Sequence, residues 1–296
     1  MFIYLFEKTD HDRKGWMMKS ILFFHIFLQS VSKAEPQLQR RSVYSQSLQK
    51  TMHITTITDQ ISHPEFGYMV VLMLHGLGDD DLGFRGNIGY YEQSSIPLMI
   101  IVPEGERGYW TDGNLGNYAS WALEAFELER ERLGLSKNPC RTIVAGLSMG
   151  GFGALNIGLQ SPHIFGHIVA MSPPDLEIAV EQMPKKGEMR DLYTNVWGDP
   201  IDQQKVIDIN PYRRLENNQG KQQHIMVVVG DREPEKFLNG VEKISTIARQ
   251  NELDYELRVV PNAGHMWNPT WGERTTIWWM EGVSKYIANT TRNCPL

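Results

Sequence analysis

The sequence predicts an α/β fold in which a mostly parallel sheet carries helices on both faces. Two observations support this prediction. Continuous apolar runs, typical of strands that are buried on both faces, recur along the 296-residue chain. Amphipathic segments of helical period separate several of these runs, and such alternation is characteristic of βαβ units.

The first predicted elements are antiparallel strands near the N-terminus. The segment RSVYSQSLQKTMHITTITD (41–59) alternates apolar and polar residues, as strands with one exposed face do. The buried strands follow, and the apolar runs that predict them are 67–76, 96–105, 141–148, 164–174, 223–231 and 255–265. The segments with helical period are 120–135, 150–162, 235–251 and 271–291.

Residues 175–215 break this rhythm. The segment is long and charged, and its helical period is weak. We therefore predict a single domain over 35–296 with a lid-like insertion around 175–215, placed over the C-terminal edge of the sheet. Ligands bind at that edge in open α/β sheets.

Residues 17–34 have the three-part layout of a secretory signal. A lysine precedes a short apolar stretch, and a small-x-small pattern ends the segment at 32–34. The preceding residues fit this layout poorly, which indicates a start at Met17 or Met18. We expect residues 1–34 to be an N-terminal extension with a signal, and the protein to be secreted or periplasmic. If no signal is present, we expect it in the cytoplasm.

Composition excludes several function classes. The net charge of −6 provides no basic surface for nucleic acid. No apolar run is long enough to predict a stable membrane span in the mature form. Cys140 and Cys294 are too few for a disulfide scaffold, and they either form one bridge or are two unrelated thiols. Neither has the spacing of a zinc ligand, so no metal is expected.

The segment GLSMG (146–150) fits the pattern G-x-S-x-G between a predicted strand and a predicted helix. In that context the serine occupies a tight, strained turn that exposes its hydroxyl at the C-terminal end of the strand. Side chains at Gly146 and Gly150 would collide with the neighbouring chain. The pattern therefore predicts that Ser148 is a nucleophile.

A nucleophilic serine needs a base, because a free hydroxyl is scarcely ionised at neutral pH. His265 follows a predicted strand in VVPNAGHMW, so it is expected at the same sheet edge as Ser148. The acid is expected in the next upstream loop, GDREPEKF, where Asp231 and Glu233 compete. Asp231 directly follows the strand. We favour Glu233, because the loop has begun to turn back toward the sheet there.

The loop in LHGLGDDD (74–81) is predicted to complete an oxyanion hole. The backbone N–H of Leu77 would act together with that of Met149 at the start of the helix after the nucleophile. His75 is expected to be a structural hydrogen-bonding residue. The acidic run 79–81 is interpreted as a solvated loop, since it lacks the spacing of an EF-hand cation site.

These pieces resemble the esterase branch of the α/β-hydrolases, which includes esterase D, S-formylglutathione hydrolase, tributyrin-type, feruloyl and acetylxylan esterases and mycolyltransferases. The matching segments lie within residues 45–288 and are LHGLGDD, IIVPEGERGYWTDG, GLSMGGFGAL and AGHMW. The resemblance implies an α/β-hydrolase fold with Ser148 as the nucleophile, His265 as its histidine and Leu77 at the oxyanion position.

Two features of the sequence either depart from the family pattern or leave the role of a residue open. The family usually has aspartate as the acid, where this chain offers Asp231 and Glu233. Tyr109 and Trp110 match an aromatic loop region of the family. They either line the acyl or alcohol pocket or pack under the insertion.

The predicted function is hydrolysis of a small-molecule or carbohydrate-linked carboxylic ester through an acyl-enzyme, without a metal or organic cofactor. The same site would also suit an acyltransferase, a peptidase or a thioesterase of the S-formylglutathione hydrolase type, although a secretory signal argues against a cytosolic thioesterase. Outside enzymes, the alternative is a binding protein on a decayed hydrolase fold. Such a protein would have lost the serine or the histidine, and both are present.

Overall fold

The fold is built around a central sheet. The structure is a computed structural model that describes residues 37–58, 67–87, 97–217 and 220–265. The strands in these ranges are β1 (Gln37–Ser45), β2 (Lys50–Thr58), β3 (Met69–Leu74), β4 (Leu98–Pro103), β5 (Asp112–Gly113), β6 (Gly116–Asn117), β7 (Thr142–Leu147), β8 (His167–Met171), β9 (His224–Gly230) and β10 (Tyr255–Val260). Eight of them form one sheet in the order β1-β2-β4-β3-β7-β8-β9-β10, and β5 pairs with β6 separately.

The strands from β4 to β10 in this order are parallel, as the apolar runs predict. The central strands are buried on both faces. In β3, Val70 and Leu72 contribute to one apolar layer, whereas Met69 and Val71 contribute to the other. Every position must therefore be apolar, which is why these runs do not alternate.

Within the described ranges, β1 and β10 form the edges of the sheet. β1 is antiparallel to β2, with Gln37 opposite Thr58, and β2 is antiparallel to β4. The predicted antiparallel N-terminal strands are thus confirmed. The run in β10 was expected to be buried on both faces, and this is wrong, because Leu257 and Val259 are 39% and 49% exposed. The alternating sequence of β10 is that of a half-exposed edge strand.

Helices connect the strands, and the described ones are α1 (Tyr118–Arg132), α2 (Met149–Gln160), α3 (Leu176–Glu181), α4 (Glu188–Trp197), α5 (Gln203–Ile209), α6 (Pro211–Glu216) and α7 (Glu235–Gln250). The longer ones, α1, α2 and α7, match the helical segments predicted over 120–135, 150–162 and 235–251. Their buried faces join the same apolar layer as Val70 and Leu72. α2 follows β7 directly and therefore begins at the carboxyl edge of the sheet.

The short helices α3 to α6 occupy the segment 175–215, which leaves the sheet at the end of β8. Side chains cap three of these helices. Asp175 accepts a hydrogen bond from the backbone at the start of α3, as Asp202 does for α5 and Asn210 for α6. Such caps satisfy N–H groups that have no intrahelical partner, and they explain helices in a segment of weak helical period.

Some sequence predictions fall outside the described residues and remain predictions. They concern the N-terminal extension and signal (1–34), the helical segment 271–291 and the state of Cys294. Cys140 takes part in a disulfide. Across the described ranges, no helix combines the length and apolar character needed to cross a membrane.

A buried histidine is expected to make the protein less stable in acid. His167 lies at the start of β8 and is 1% exposed, and its Nε2–H donates to the carbonyl oxygen of Cys140 over 3.0 Å. Burial, followed by the nearby His224, lowers the pKa of His167 from 6.5 to about 4 against the opposing effects of Cys140 and Asp254. The unfolded chain therefore takes up this proton at a higher pH than the folded protein does. The contribution of His167 to the free energy of unfolding is fully present above pH 6.5, and it is lost as the pH falls toward 4.

We expect the free energy of unfolding to fall by about 3 kcal/mol over this interval through His167 alone. Urea unfolding at pH 7 and pH 4.5, followed by circular dichroism, measures the change. His167→Gln keeps an N–H donor but does not titrate, so it should flatten the pH dependence. The exposed His163 provides the control, and His163→Gln should behave as the parent does. An unchanged pH dependence in His167→Gln would contradict the prediction.

Candidate active site

Ser148 makes the turn between β7 and α2. β7 ends at Leu147 and α2 begins at Met149, so one residue reverses the chain direction. The φ of 55° and ψ of −114° at Ser148 lie outside the regions that L-residues ordinarily occupy. The N–H of Ser148 donates to the carbonyl oxygen of Met171 over 2.8 Å, which ties this strained turn to the end of β8. Strain of this kind persists where the surrounding structure determines it, often at functional sites.

The glycines on either side of Ser148 allow this turn to pack. A Cβ at Gly150 would lie 1.9 Å from the carbonyl oxygen of Leu74, and one at Gly146 would lie 2.3 Å from that of Gly150. Both contacts are with backbone atoms, which cannot move aside as a flexible side chain can. The motif therefore requires glycine at both positions because strands β3 and β7 and helix α2 meet there.

His265 lies between Ser148 and Glu233. Its Nε2 is 2.9 Å from Ser148 Oγ, and its Nδ1 is 2.6 Å from Glu233 Oε2. An ionised carboxylate only accepts hydrogen bonds, so Nδ1 carries the hydrogen and Nε2 is left to accept one from the serine hydroxyl. The three side chains form a continuous hydrogen-bonded series that starts at the nucleophile candidate.

The structure brings Glu233, and not Asp231, to the histidine. Asp231 is exposed, and its N–H continues the pairing with β10 by donating to Val260. The next residue, Arg232, donates its N–H to the carbonyl oxygen of Ala263 over 2.8 Å. The loops after β9 and β10 are thereby held together, so that Glu233 turns inward and its side chain is fully buried.

Two further side chains contact this series, and sequence reasoning did not identify them. Ser172 follows β8, is fully buried and donates its Oγ–H to Glu233 Oε1 over 2.5 Å. Phe237 in α7 stacks on His265, with ring centroids 3.9 Å apart and ring planes inclined by 19°. The position of Ser172 at the end of a predicted strand was the available signal, because that places it at the same sheet edge as Ser148.

Leu77 and Met149 lie on the two backbone segments that meet beside Ser148. A Cβ at Gly76 would be 3.8 Å from Ser148 Cβ, so the loop after β3 runs directly against the serine. Met149 is the first residue of α2 and has no intrahelical partner for its N–H. Neither N–H makes a hydrogen bond to another described residue. Within the described ranges, these two donors near Ser148 therefore have no hydrogen-bond partner.

The loop after β3 is held by a buried carboxylate. Asp81 accepts two hydrogen bonds from Arg40 in β1, at 2.7 and 2.8 Å, and one from Thr55 in β2 at 2.7 Å. Burial by itself would raise the pKa of Asp81, but the hydrogen bonds from Arg40 and Thr55 keep it below its ordinary value. The interpretation of 79–81 as a solvated loop is therefore wrong for Asp81, because the N-terminal strands supply a guanidinium partner from a distant part of the chain.

Tyr109 and Trp110 are 4% and 0% exposed, so both are packed in the core, and Tyr109 packs against the segment 175–215. The Tyr109 ring makes edge contacts with Tyr193 and Trp197 of α4, within the segment 175–215. Burial raises the pKa of Tyr109 well above its ordinary value. Trp110 Nε1 donates to the carbonyl oxygen of His75 over 3.1 Å and thereby supports the loop that carries Leu77.

His75 lies in a buried, hydrogen-bonded environment that suits a structural role. Its ring is fully buried and contacts Trp110 edge-on. Nε2 accepts a hydrogen bond from the N–H of Gly105 over 2.8 Å, so Nδ1 donates to the carbonyl oxygen of Gly76. Among the described residues, no three or more His, Cys, Asp or Glu side chains are grouped so as to hold a metal ion.

Comparison with known families and curated proteins places this site in context. A family model described as Putative esterase matches residues 45–281. Two curated esterases of Mycobacterium tuberculosis, from strains CDC 1551 / Oshkosh and ATCC 25618 / H37Rv, are each 26% identical to this chain in an alignment over 231 residues. The alignment covers 68% of this chain and 49% of each relative, so the chain spans about half the length of these proteins.

Solved structures with the same fold extend over most of the chain. A ferulic acid esterase superposes with a TM-score of 0.69 at 17% identity, covering 85% of this chain and 98% of the other. The fluorophosphonate-binding serine hydrolase F of Staphylococcus aureus has a TM-score of 0.68 at 15% identity, covering 84% and 99%. An S-formylglutathione hydrolase of Agrobacterium tumefaciens has a TM-score of 0.66 at 16% identity, covering 86% and 95%. The predicted α/β-hydrolase fold is therefore confirmed.

Proposed function

This chain belongs to the Putative esterase family, and on that basis we propose that it hydrolyses carboxylic esters through a serine acyl-enzyme. One observation carries the proposal. Ser148 Oγ, the imidazole of His265 and the buried carboxylate of Glu233 form one continuous hydrogen-bonded series. A hydroxyl, an imidazole and a carboxylate in this order can generate a nucleophile at neutral pH.

The proposed first step is attack of Ser148 Oγ on the ester carbonyl carbon. His265 Nε2 takes the hydroxyl proton as the new C–O bond forms, so the alkoxide is never free. Glu233 keeps the hydrogen of the imidazole on Nδ1 and then stabilises the imidazolium cation. The carboxylate does not itself take the proton.

The carbonyl oxygen becomes an oxyanion as the tetrahedral intermediate forms. We assign the N–H groups of Leu77 and Met149 as its hydrogen-bond donors, because both segments adjoin Ser148 and neither N–H has a partner in the part of the chain that the structure describes. One such donor typically contributes about 2.7–4 kcal/mol to stabilisation of the transition state. The Arg40–Asp81 pair supports this assignment, since it holds the loop that carries Leu77 in place.

Collapse of the intermediate expels the alcohol and leaves an acyl group on Ser148. The imidazolium of His265 donates its Nε2 proton to the departing alkoxide oxygen. A water molecule then attacks the acyl carbon while His265 removes its proton, and the same steps in reverse release the carboxylic acid. The enzyme returns to its starting protonation state, so no co-reactant other than water is consumed.

The proposed substrate is a small-molecule or carbohydrate-linked carboxylic ester. The chemistry of the site requires a carbonyl carbon with a leaving group that accepts one proton. Carboxylic esters and thioesters have both parts. The names of two structural neighbours, a ferulic acid esterase and an S-formylglutathione hydrolase, refer to these two classes of compound.

Partitioning of a common intermediate tests the acyl-enzyme. The protein is assayed with p-nitrophenyl acetate and 1-naphthyl acetate, each in the presence of methanol as a competing acceptor. Because both esters would form the same acetyl-enzyme, the ratio of acetic acid to methyl acetate should be identical for the two substrates. Different ratios would exclude a shared acyl-enzyme, and no hydrolysis above the uncatalysed rate would exclude the esterase activity itself.

A further inference from the structure

We propose that Ser172 is a positioning residue for the acid of the triad. Its hydroxyl would hold one carboxylate oxygen of Glu233 so that the other oxygen faces His265. The inference rests on the proposed function, because it assigns a role to Ser172 in the same reaction. The G-x-S-x-G motif does not include this residue, and only its position at the end of a predicted strand relates it to the site.

The position of Ser172 is determined by the two strands beside it. Ser172 directly follows β8, and its N–H donates to the carbonyl oxygen of Val228 in β9 over 2.7 Å. Its φ is 46°, in the left-handed region that a serine rarely adopts. This conformation accompanies a side chain directed at Glu233, as the conformation of Ser148 accompanies a side chain directed at His265. Both strained serines follow adjacent parallel strands at the same edge of the sheet.

The buried carboxylate provides the chemical reason for such a residue. The side chain of Glu233 is fully buried, and an ionised carboxylate in that environment needs hydrogen bonds to both of its oxygens. His265 Nδ1–H supplies the bond to Oε2, and Ser172 Oγ–H supplies the bond to Oε1. The serine contributes a neutral donor that does not change when His265 gains or loses its proton.

Glutamate has one more rotatable bond than aspartate, so its carboxylate needs more restraint to hold one orientation. Ser172 restrains Oε1 of that carboxylate by a hydrogen bond, and Phe237 restrains the His265 ring by stacking on its face. Because Ser172 is fully buried, its hydroxyl is not accessible to a substrate as a second nucleophile. Its role is therefore exerted through Glu233.

Two substitutions of Ser172 test this role. Ser172→Ala removes the hydroxyl, and Ser172→Gly removes it while also relieving the left-handed backbone conformation. We expect both variants to lose about tenfold or more in kcat/KM for p-nitrophenyl acetate, with the loss mainly in kcat, since a hydrogen bond to a charged group is removed. Ser172→Gly should unfold thermally at or above the temperature of Ser172→Ala, so the loss of activity would not follow stability.

The pH profile separates positioning from structural support. Without the Ser172 donor, the carboxylate of Glu233 holds the protonated imidazole more strongly, so the inactive protonated form persists to higher pH. The acid limb of the kcat/KM profile should therefore move upward in both variants. Ser245→Ala is the matched control, because Ser245 is also buried and hydrogen-bonded, to Val241 and Tyr255, in a different part of the structure. That variant should leave the acid limb unchanged.

A double-mutant cycle with Glu233→Gln gives the decisive comparison. If Ser172 acts only through the carboxylate, Ser172→Ala should cause little further loss in the Glu233→Gln background. Full additivity of the two losses, or an unchanged rate and acid limb in both Ser172 variants, would overturn the inference. If the proposed function itself is wrong, Ser148→Ala retains the activity of the parent. That result distinguishes failure of the proposed function from failure of the inference about Ser172.

Discussion

Ser148→Ala is expected to lower kcat/KM for p-nitrophenyl acetate by about 10⁴-fold or more, because it removes the proposed nucleophile and leaves only the proposed oxyanion donors and binding. The substitution removes one oxygen atom from a turn that depends on glycines and backbone contacts. We therefore expect the thermal unfolding temperature to change little, because alanine keeps the Cβ and the same backbone conformation. Steady-state kinetics and thermal unfolding on the same preparations check both expectations.

Ser161→Ala provides the control for this variant. Ser148 and Ser161 flank the same helix, at the start and the end of α2, but Ser161 lies away from His265. Its replacement should leave kcat/KM within about twofold of the parent, as expected for a site outside the reaction. If Ser148→Ala retains parental activity, or if both serine variants lose the same fraction, Ser148 is not the nucleophile.

Glu233→Gln is expected to reduce kcat/KM by about 10³- to 10⁴-fold, whereas Asp231→Asn should remain within about twofold of the parent. The glutamine amide has the size of the carboxylate but carries an N–H group that favours the wrong tautomer of His265 and cannot stabilise its cation. Asp231 is exposed and its side chain makes no such contact. Steady-state kinetics with p-nitrophenyl acetate compares the variants.

The two variants are matched controls for each other, because they change neighbouring residues of one loop in the same way. Equal and mild losses in both would indicate that the acid lies in another loop. A severe loss in Asp231→Asn alone would show that this loop rearranges in solution to present Asp231 to the histidine.

The sequence was most informative where a local pattern has one structural solution. A strand buried on both faces needs an apolar residue at every position, so β3 and β7 were predictable from their composition alone. The glycines around Ser148 were equally informative. Any side chain at Gly146 or Gly150 would collide with backbone atoms, so the turn requires glycine at both positions and the motif shows it in the sequence.

Predictability ended where distant segments determine the environment of a side chain. Asp81 is buried because Arg40 in β1 supplies its partner, and no local pattern connects the two residues. Asp231 and Glu233 could be ranked only by supposing how their loop turns, which depends on backbone bonds to the loop after β10. Ser172 contacts Glu233 across 61 positions of sequence, so only the assembled sheet edge reveals it.

A fluorophosphonate probe tests most directly whether Ser148 is the activated nucleophile. The parent is treated with the probe, digested and analysed by peptide mass spectrometry, alongside Ser148→Ala and Glu233→Gln. The predicted result is a phosphonyl adduct on Ser148 of the parent, no adduct on the active-site peptide of Ser148→Ala, and much slower labelling of Glu233→Gln. An unlabelled parent, or an adduct on a different serine, would contradict the proposed mechanism.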